Sequence, residues 1–461
     1  MIRLFNAYFP TRTIVLGVSE ALLVTTAFML ATFLWLGILQ ANFVLVYENG
    51  LVKVALIVAV LIFCMYYFDL YDSIVLSNRR EIATRMVQVL GTACIVLALL
   101  YHFYPQLGLN PSIFVTGLML VAVLLFGWRR LFLLLNRSER MSERAVVLGG
   151  GPLVLSLANE IQSRPELGIN LLGYVSHEPN PLAKIRQISG VDEISTKVKE
   201  LGIARIIVAM ADRRGRLPVE ELLKLKTQGI QIQDGFDVFE SVTGRVALES
   251  LRPSWLLFSS GFQASRFMLI YKRIFDIVWS LVALAIAAPV MLVVAVAIRL
   301  DSPGPAIYHQ KRIGKDGKTF TVYKFRSMFQ GAGKIDVHAP AEQDDPRVTH
   351  VGRWLRRLRL DELPQLLNIL AGDMSFIGPR PFVPDQEEEL VKQIPFYSQR
   401  WTVKPGASGW AQVHRGYCAT LEDNAEKLSY DLFYIKNISI GLDLLILFQT
   451  VKILLLGRGG R

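Results

Sequence analysis

The chain has 461 residues, a formal net charge of +11 and a mean hydropathy of +0.38, with 52% hydrophobic residues. That is too long for one ordinary domain and too apolar for an ordinary soluble protein, and the basic excess suits anionic partners such as lipid headgroups or phosphorylated substrates. Three cysteines, Cys64, Cys94 and Cys418, have neither the number nor the spacing of a disulfide framework or a metal site.

Four long apolar runs come first, at Ile14–Leu39, Leu51–Leu70, Met86–Tyr104 and Ile113–Leu135. Each approaches the ~20 residues that cross ~30 Å of hydrocarbon, which predicts four transmembrane helices in residues 1–136. The first run lacks a small-residue cleavage site and reads as a span, with no cleavable signal peptide. Arg3 and Arg12 precede the first span, Arg79, Arg80 and Arg85 separate the second from the third, and Arg129, Arg130, Arg137, Arg140 and Arg144 gather at and after the fourth. The other two connections, ANFVLVYENG and HFYPQLGLNPS, carry no Lys or Arg, so both ends of the bundle are expected on the cytoplasmic side. No charge is read in the middle of the first, third or fourth span, so no ion path is indicated.

From about Arg144 short β-rich runs alternate with polar helices, the rhythm of a doubly wound sheet, and residues 144–262 read as a Rossmann-like domain. RAVVLGGG is a strand entering a glycine turn, PLVLSLANEIQSR a helix, and LLGYVS, ARIIVAM and IQIQDG are further strands, with VEELLKLKTQG as a helix. Gly149, Gly150 and Gly151 suggest a dinucleotide turn, but Val154 stands where the third glycine of the fingerprint belongs and only Glu178 offers an acid after the second strand. A degenerate, non-catalytic domain is the expectation. FESVTGRVALESLRPSWLLFSSGF follows as a connector.

The remainder, 266–461, holds the chemistry. Lys272 and Arg273 lead into Ile277–Ile298, 22 residues long enough to span but broken by Pro289, which removes a helix hydrogen bond. A full crossing would put everything after Asp301 outside, away from nucleotide-activated substrates. A re-entrant helix hairpin at 274–300 is therefore expected, entering one leaflet and returning, with Asp276 at its mouth pairing with Arg273. AIYHQKRIGKDGKTFTVYKFRSM reads as a β-hairpin turning at Asp316-Gly317. VGRWLRRLRL reads as a short amphipathic helix in the interfacial plane. Asp361 and Glu362 follow, with Asp361 placed as a helix N-cap, Pro364 in the first turn and Gly372 as the C-cap. Neighbouring residues on a helix do not face each other, so the two carboxylates are not a shared-proton pair. One can attack phosphorus, forming an acyl-phosphate, while the other assists, and the flanking Arg356 and Arg380 can neutralise the target's charge. The apolar stretch from Leu442 to Leu456 is short for a span and is expected to pack on the membrane surface or on a partner protomer.

KRIFDI, DSPGPAIYHQKRIGKDGKTFTVYKFRSM, RLDELPQLLNILAGDMSFIGPRP, VKPGASGWAQV and YDLFYIKNISIGLDLLIL occur in that order over residues 266–457. This series resembles the catalytic domain of bacterial polyprenyl-phosphate phosphoglycosyltransferases of the large monotopic type, and the four spans with a degenerate Rossmann-like domain resemble the long architecture of the same family. The resemblance implies a multi-domain membrane protein: a four-helix transmembrane bundle, an α/β middle domain, and an α+β catalytic domain with a re-entrant helix. It implies transfer of a sugar-1-phosphate from a UDP-sugar to polyprenyl phosphate, with Asp361 as nucleophile, Glu362 assisting and Mg²⁺ at the pair. Lys324, Arg326, Arg356 and Arg380 would hold phosphates, and Pro381 belongs to the Gly-Pro-Arg-Pro turn. The implied setting is the cytoplasmic face of a bacterial inner membrane, as a homodimer, with no nucleic-acid partner. The sequence departs from the family at Ala407-Ser408, where a threonine more often precedes the second glycine. Two other readings compete: a membrane-anchored nucleotide-sugar dehydratase or epimerase, which needs an intact fingerprint and a Tyr-x-x-x-Lys pair, and a non-catalytic scaffold, for which Asp361 would be dispensable.

Overall fold

The computed structural model describes residues 1–4, 6–72, 79–136, 142–176, 186–210, 216–251, 253, 256, 259, 261–262, 265–331, 345–416 and 420–456. It divides into two compact units, Met1–Ile2 with Tyr8–Val238, and Arg3–Ala7 with Phe239–Arg461.

In the first unit, helices α1 (Thr11–Tyr47), α2 (Gly50–Tyr67), α3 (Arg79–Phe103) and α4 (Pro111–Asn136) carry the four apolar runs, and each is long and apolar enough to cross a membrane. The first runs past its expected end at Leu39. Gly37 takes a left-handed φ of 70° that kinks the helix, and no breaker stops it again before Glu48. The expectation of charge-free spans fails at one point. Glu20 and Arg129 are 0% and 2% exposed and form a bidentate pair at 2.6 and 3.0 Å, while Arg129 also donates to the Leu70 carbonyl at 3.0 Å. Each residue lies several positions inside its apolar run; Arg129 is counted above with the basic cluster at the end of the fourth run, and Glu20 is not read at all. Buried ionised groups persist in such a setting only when paired in this way.

The same unit contains five parallel strands, β1 (Glu143–Leu148), β2 (Ile169–Val175), β3 (Gln187–Ser189), β4 (Arg205–Val208) and β5 (Gln231–Asp234), in the order β3-β2-β1-β4-β5. β1 is central and its Ala145–Leu148 are fully buried, as expected for a strand covered on both faces. Helices α5 (Pro152–Ser163), α6 (Ile194–Leu201) and α7 (Val219–Thr227) complete the doubly wound pattern. Short β3 and α6 were not read from the sequence. Gly149 has φ 142°, and a Cβ there would lie 2.7 Å from the Ala209 carbonyl, which accounts for glycine at the strand-to-helix turn. Glu178 lies outside the described residues.

The second unit begins inside the stretch read as a connector. Trp410 Nε1 donates to the Gly244 carbonyl at 2.7 Å, Arg245 pairs with Glu426 at 2.7 Å, and Lys436 with Glu240 at 2.9 Å. These ties bind residues 240–245 to the helix Leu421–Lys436 and its neighbours rather than leaving them as a free linker. Helix α8 (Arg266–Asp301) contains Pro289 and is the fifth helix long and apolar enough to cross a membrane. Both its ends are tied into one body. Arg273 donates to the Ile369 and Leu370 carbonyls, both at 2.8 Å, and Asp276 accepts from Ser375 Oγ and Phe376 N, both at 3.0 Å. At the far end Val294 and Ile298 pack with Phe325, Leu355, Leu360 and Leu363, and Asp301 accepts from Val351 N at 3.1 Å. The expected Asp276–Arg273 pair is thus replaced: each group reaches a different neighbour, the acid an N–H and a hydroxyl, the base two carbonyls at a helix end.

Strands β6 (Ile307–Ile313) and β7 (Thr319–Phe325) form the predicted antiparallel hairpin, with Asp316 and Gly317 at φ 57° and 72° in the turn. Then come α9 (His350–Arg357), a 3₁₀ turn at Leu360–Glu362, α10 (Gln365–Ala371), β8 (Ser375–Ile377), α11 (Pro384–Gln393), β9 (Gly406–Ser408), α12 (Trp410–His414), α13 (Leu421–Lys436) and α14 (Ile440–Leu455). α14, at 16 residues, is below spanning length, and its Asp443 is held by Lys272 at 2.8 Å and Tyr434 at 2.8 Å.

Candidate active site

Asp361 and Glu362 sit on the 3₁₀ turn that joins α9 to α10. Asp361 is not the N-cap that its position suggested: α10 starts at Gln365 behind Pro364, without a side-chain cap. The helix enters later because Arg359 takes a left-handed φ of 53°, which breaks the backbone after Leu358 and swings the carboxylates off the helix axis. A non-glycine residue in that region is uncommon and costs of order 1–3 kcal/mol. Gly372 does close α10, with φ 99° and its N–H on the Asn368 and Ile369 carbonyls.

The scaffold around the turn is fixed by buried polar groups. Asn368, 0% exposed, accepts from Tyr323 N at 3.0 Å and donates to the Thr321 carbonyl at 2.7 Å, locking α10 to the edge of β7. That register brings Lys324 to the pair. α9 is pinned at its start, where Thr349 Oγ1 accepts from Gly352 N at 3.0 Å, and a Cβ on Gly352 would lie 2.0 Å from the Ser327 carbonyl. One turn on, Arg356 Nε donates back to Ser327 Oγ at 3.0 Å.

Glu362 gathers the cations. Its Oε1 is 2.9 Å from Arg380 NH2 and 3.2 Å from Lys324 Nζ, and its Oε2 is 3.7 Å from Arg359 NH1. Burial opposes its charge, but Arg380, Lys324 and Arg359 outweigh burial and hold the carboxyl well below its usual range. Asp361 is different. Among the described residues its carboxylate makes no hydrogen bond or ion pair, and its carboxyl is pushed up, first by burial and then by the negative charge of Glu362, against the pull of Lys324, Arg356 and Arg380. Two adjacent carboxylates thus have opposite environments, one neutralised by contact and one left with an available oxygen and raised basicity. The raised, unpaired group is the one fitted to attack; the paired one holds the cations in place.

Of the other expected site residues, Lys324, Arg356 and Arg380 converge here, each electrostatically coupled to Asp361. Pro381 belongs to the turn that carries Arg380. Arg326 does not join them: it is 6% exposed and donates to the Pro303 and Ser302 carbonyls and Ser302 Oγ at 2.7–2.9 Å, bracing the C-terminal end of α8. Lys272, Arg273 and Asp276 likewise anchor α8, and Pro289 lies within it. Two residues went unread in the sequence. Arg359 is the third cation on Glu362, and its place in the run RRLRL was visible but undistinguished. Arg312 lies beside the pair from β6, where burial and then Arg380 push it down to about 10. Ser408, the departure noted in the sequence, shares a hydrogen bond with Thr450 at 2.6 Å and so joins β9 to α14.

Groups of three or more metal-ligating side chains are absent among the described residues. Magnesium needs only one or two carboxylates when substrate phosphates and water complete its shell. Asp361 fits that role with a free oxygen, whereas the Glu362 oxygens are engaged by Arg380, Lys324 and Arg359.

Residues 267–457 match the family described as bacterial sugar transferase, and residues 66–227 one described as CoA-binding domain. The chain is 43% identical over 224 residues to the UDP-N-acetylgalactosamine-undecaprenyl-phosphate N-acetylgalactosaminephosphotransferase of Aeromonas hydrophila, covering 49% of this chain and 52% of that protein. It is 35% identical over 331 residues to the UDP-glucose:undecaprenyl-phosphate glucose-1-phosphate transferase of Escherichia coli (strain K12), covering 70% of this chain and 69% of that one. It is 44% identical over 192 residues to the exopolysaccharide production protein PSS of Rhizobium leguminosarum bv. phaseoli, covering 40% of this chain and 94% of that one. The chain therefore spans about half the length of the Aeromonas protein and nearly the whole of the Rhizobium one.

Proposed function

The chain belongs to the bacterial sugar transferase family, and on that premise we propose that it moves a sugar-1-phosphate from a UDP-sugar to polyprenyl phosphate. The observation that carries this reading is the asymmetry of the pair: Asp361 unpaired and raised, Glu362 gripped by Lys324 and Arg380. An Asp361 oxygen attacks the β-phosphorus of the UDP-sugar, the bond from that phosphorus to the bridging oxygen breaks, and UMP leaves with the electron pair. A phosphate oxygen of the lipid then attacks the same phosphorus, the acyl-phosphate bond breaks, and Asp361 returns as carboxylate. Arg380, Lys324, Arg356 and Arg359 outnumber the two carboxylates, which leaves positive charge for the diphosphate and for the charge that develops on it. Asp361 is the residue fitted to hold Mg²⁺ beside substrate phosphates; when bound, the ion would add charge neutralisation at the diphosphate.

The setting we propose is the cytoplasmic face of a bacterial inner membrane, with a four-helix transmembrane bundle and α8 as a re-entrant hairpin. The arginine-rich ends of the first unit's helices support the orientation. The tethering of both ends of α8 supports the hairpin: residues 273 and 301 would stand about 42 Å apart on a straight helix, at ~1.5 Å per residue, yet both are bound within one small body. A homodimer and a place at the first membrane step of exopolysaccharide assembly are part of the same reading, and the name of the Rhizobium relative supports the link to exopolysaccharide production. The relatives' names differ in the sugar, so a panel of UDP-sugars belongs in the test. Purified protein in detergent with Mg²⁺, undecaprenyl phosphate and β-³²P-labelled UDP-sugars should release UMP and acquire label without lipid. Label retained by Asp361→Asn would defeat the assignment of the nucleophile.

A further inference from the structure

The turn that carries Arg380 is held by an unusual set of partners. Pro379 and Pro381 fix φ on either side of Arg380 and supply no N–H, so the turn cannot close on itself through those residues. Its carbonyls are instead received from outside, one after another. Gly406 N donates to Pro379 O at 2.9 Å, Arg400 NH2 to Arg380 O at 2.9 Å, Arg312 NH1 to Pro381 O, and Ile313 N to Phe382 O at 3.1 Å. Gly378 N donates to Ser408 O at 2.8 Å. Two of these donors are charged side chains, Arg400 and Arg312, and Arg312 lies close to another cation, Arg380. Arg400 is 4% exposed and is compensated by Asp431 at 3.0 Å and Glu387 at 3.2 Å. Arg312 has no carboxylate within ion-pair distance among the described residues. Its guanidinium is spent on the Pro381 carbonyl and on Gln310 Oε1 at 2.8 Å.

A half-buried guanidinium that faces Arg380 without an acid of its own is an expensive way to satisfy one carbonyl. It makes sense where the position of that carbonyl matters to the reaction. We propose that Arg312 and Arg400 are positioning residues, which clamp the Pro381 and Arg380 carbonyls and thereby aim the Arg380 guanidinium at Glu362 and at the phosphate beside Asp361. Arg400 grips from its carboxylate nest and Arg312 from strand β6, so the hairpin and the turn are set in one register. Arg380 NH2 then meets Glu362 at 2.9 Å without rearrangement when substrate enters. Preorganisation of this kind acts through Arg380, so the contribution of Arg312 should vanish when Arg380 is absent.

The inference rests on the transferase reading, and the test separates the two. Arg312→Lys keeps the charge but cannot fork between Pro381 O and Gln310. In full-length protein it should lower kcat/KM for the UDP-sugar about tenfold, carried by kcat rather than KM. In an Arg380→Ala background the same substitution should change the rate by less than about twofold. Gln310→Ala, which frees one branch of Arg312, should lower kcat/KM in the same way by a smaller amount. Equal losses from Arg312→Lys in both backgrounds, or a loss carried by KM alone, would overturn the proposal. Absence of transfer by the unaltered protein across the sugar panel would instead defeat the transferase reading itself.

Discussion

Glu362→Gln tests the division of labour between the two carboxylates most directly. The substitution keeps the shape and removes the charge that Arg380, Lys324 and Arg359 share. Breaking a buried ion pair by removing one partner costs about 3–5 kcal/mol. Side chains of Arg380 and Arg359 are 31% and 39% exposed, and Asp361 can attract the released cations, so the net loss of stability should be nearer about 2 kcal/mol. The effect on Asp361 runs the other way. Burial raises the Asp361 carboxyl first, and the negative charge of Glu362 raises it further. Deleting the negative neighbour and freeing its cations should therefore lower the Asp361 pKa. The acid limb of kcat/KM for the UDP-sugar, followed by UMP release from pH 4 to 8, should move to lower pH even as the plateau falls. A limb that stays in place or moves up would show that Glu362 does not set the charge state of the nucleophile.

Asp361→Asn should abolish label transfer while leaving stability at neutral pH unchanged or raised by up to about 1 kcal/mol. The sign follows from the raised carboxyl: a group with a folded-state pKa above its unfolded value weakens the fold as pH rises through that range, and Asn removes the cost. A clear loss of thermal stability would contradict the unpaired state of Asp361. In the bundle, Glu20→Leu or Arg129→Leu alone should cost about 3–5 kcal/mol and the double substitution much less, read as retention of monodisperse protein after heating in detergent. A double variant as weak as the singles would show that the pair is not what those positions require. Gly352→Ala would drive a Cβ to 2.0 Å from the Ser327 carbonyl, so α9 must shift at a cost of about 1–3 kcal/mol and take Arg356 with it. Activity unaffected by this change would remove Arg356 from the site.

The architecture was legible where the signal is periodic or punctuated. Apolar runs of about 20 residues gave the four N-terminal helices, Asp316-Gly317 gave the hairpin, and the strand–glycine–helix rhythm gave most of the parallel sheet. What escaped depends on contacts between residues far apart in the chain. Glu20 and Arg129 are 109 residues apart, and each alone resembles a charge at the edge of a span. β3 is three residues long and is a strand only because β2 lies beside it. Arg326 and Lys324 sit in one pentapeptide with the same chemistry. Strand alternation alone would put them on one face, but the strand ends at Phe325: Lys324 reaches Glu362 while Arg326, past the end, turns to α8, and only the packing of α8 distinguishes them.

The same limit explains how the site came to be half readable. An Asp-Glu pair among arginines announces a phosphate, because few other ligands justify that density of charge. It does not say which carboxylate attacks. The proposal that Asp361 attacks rests on Arg359, whose left-handed backbone precedes the pair, and on Glu362, not Asp361, pairing with Arg380 and Lys324. The test is Arg359→Gly, which keeps the left-handed turn at little conformational cost and deletes one cation. It should leave Asp361 raised and activity within about tenfold, whereas Arg359→Val, β-branched and ill-suited to a positive φ, should cost more in activity although it removes the same charge. Equal effects from the two would mean that the cation, and not the backbone, selects the nucleophile.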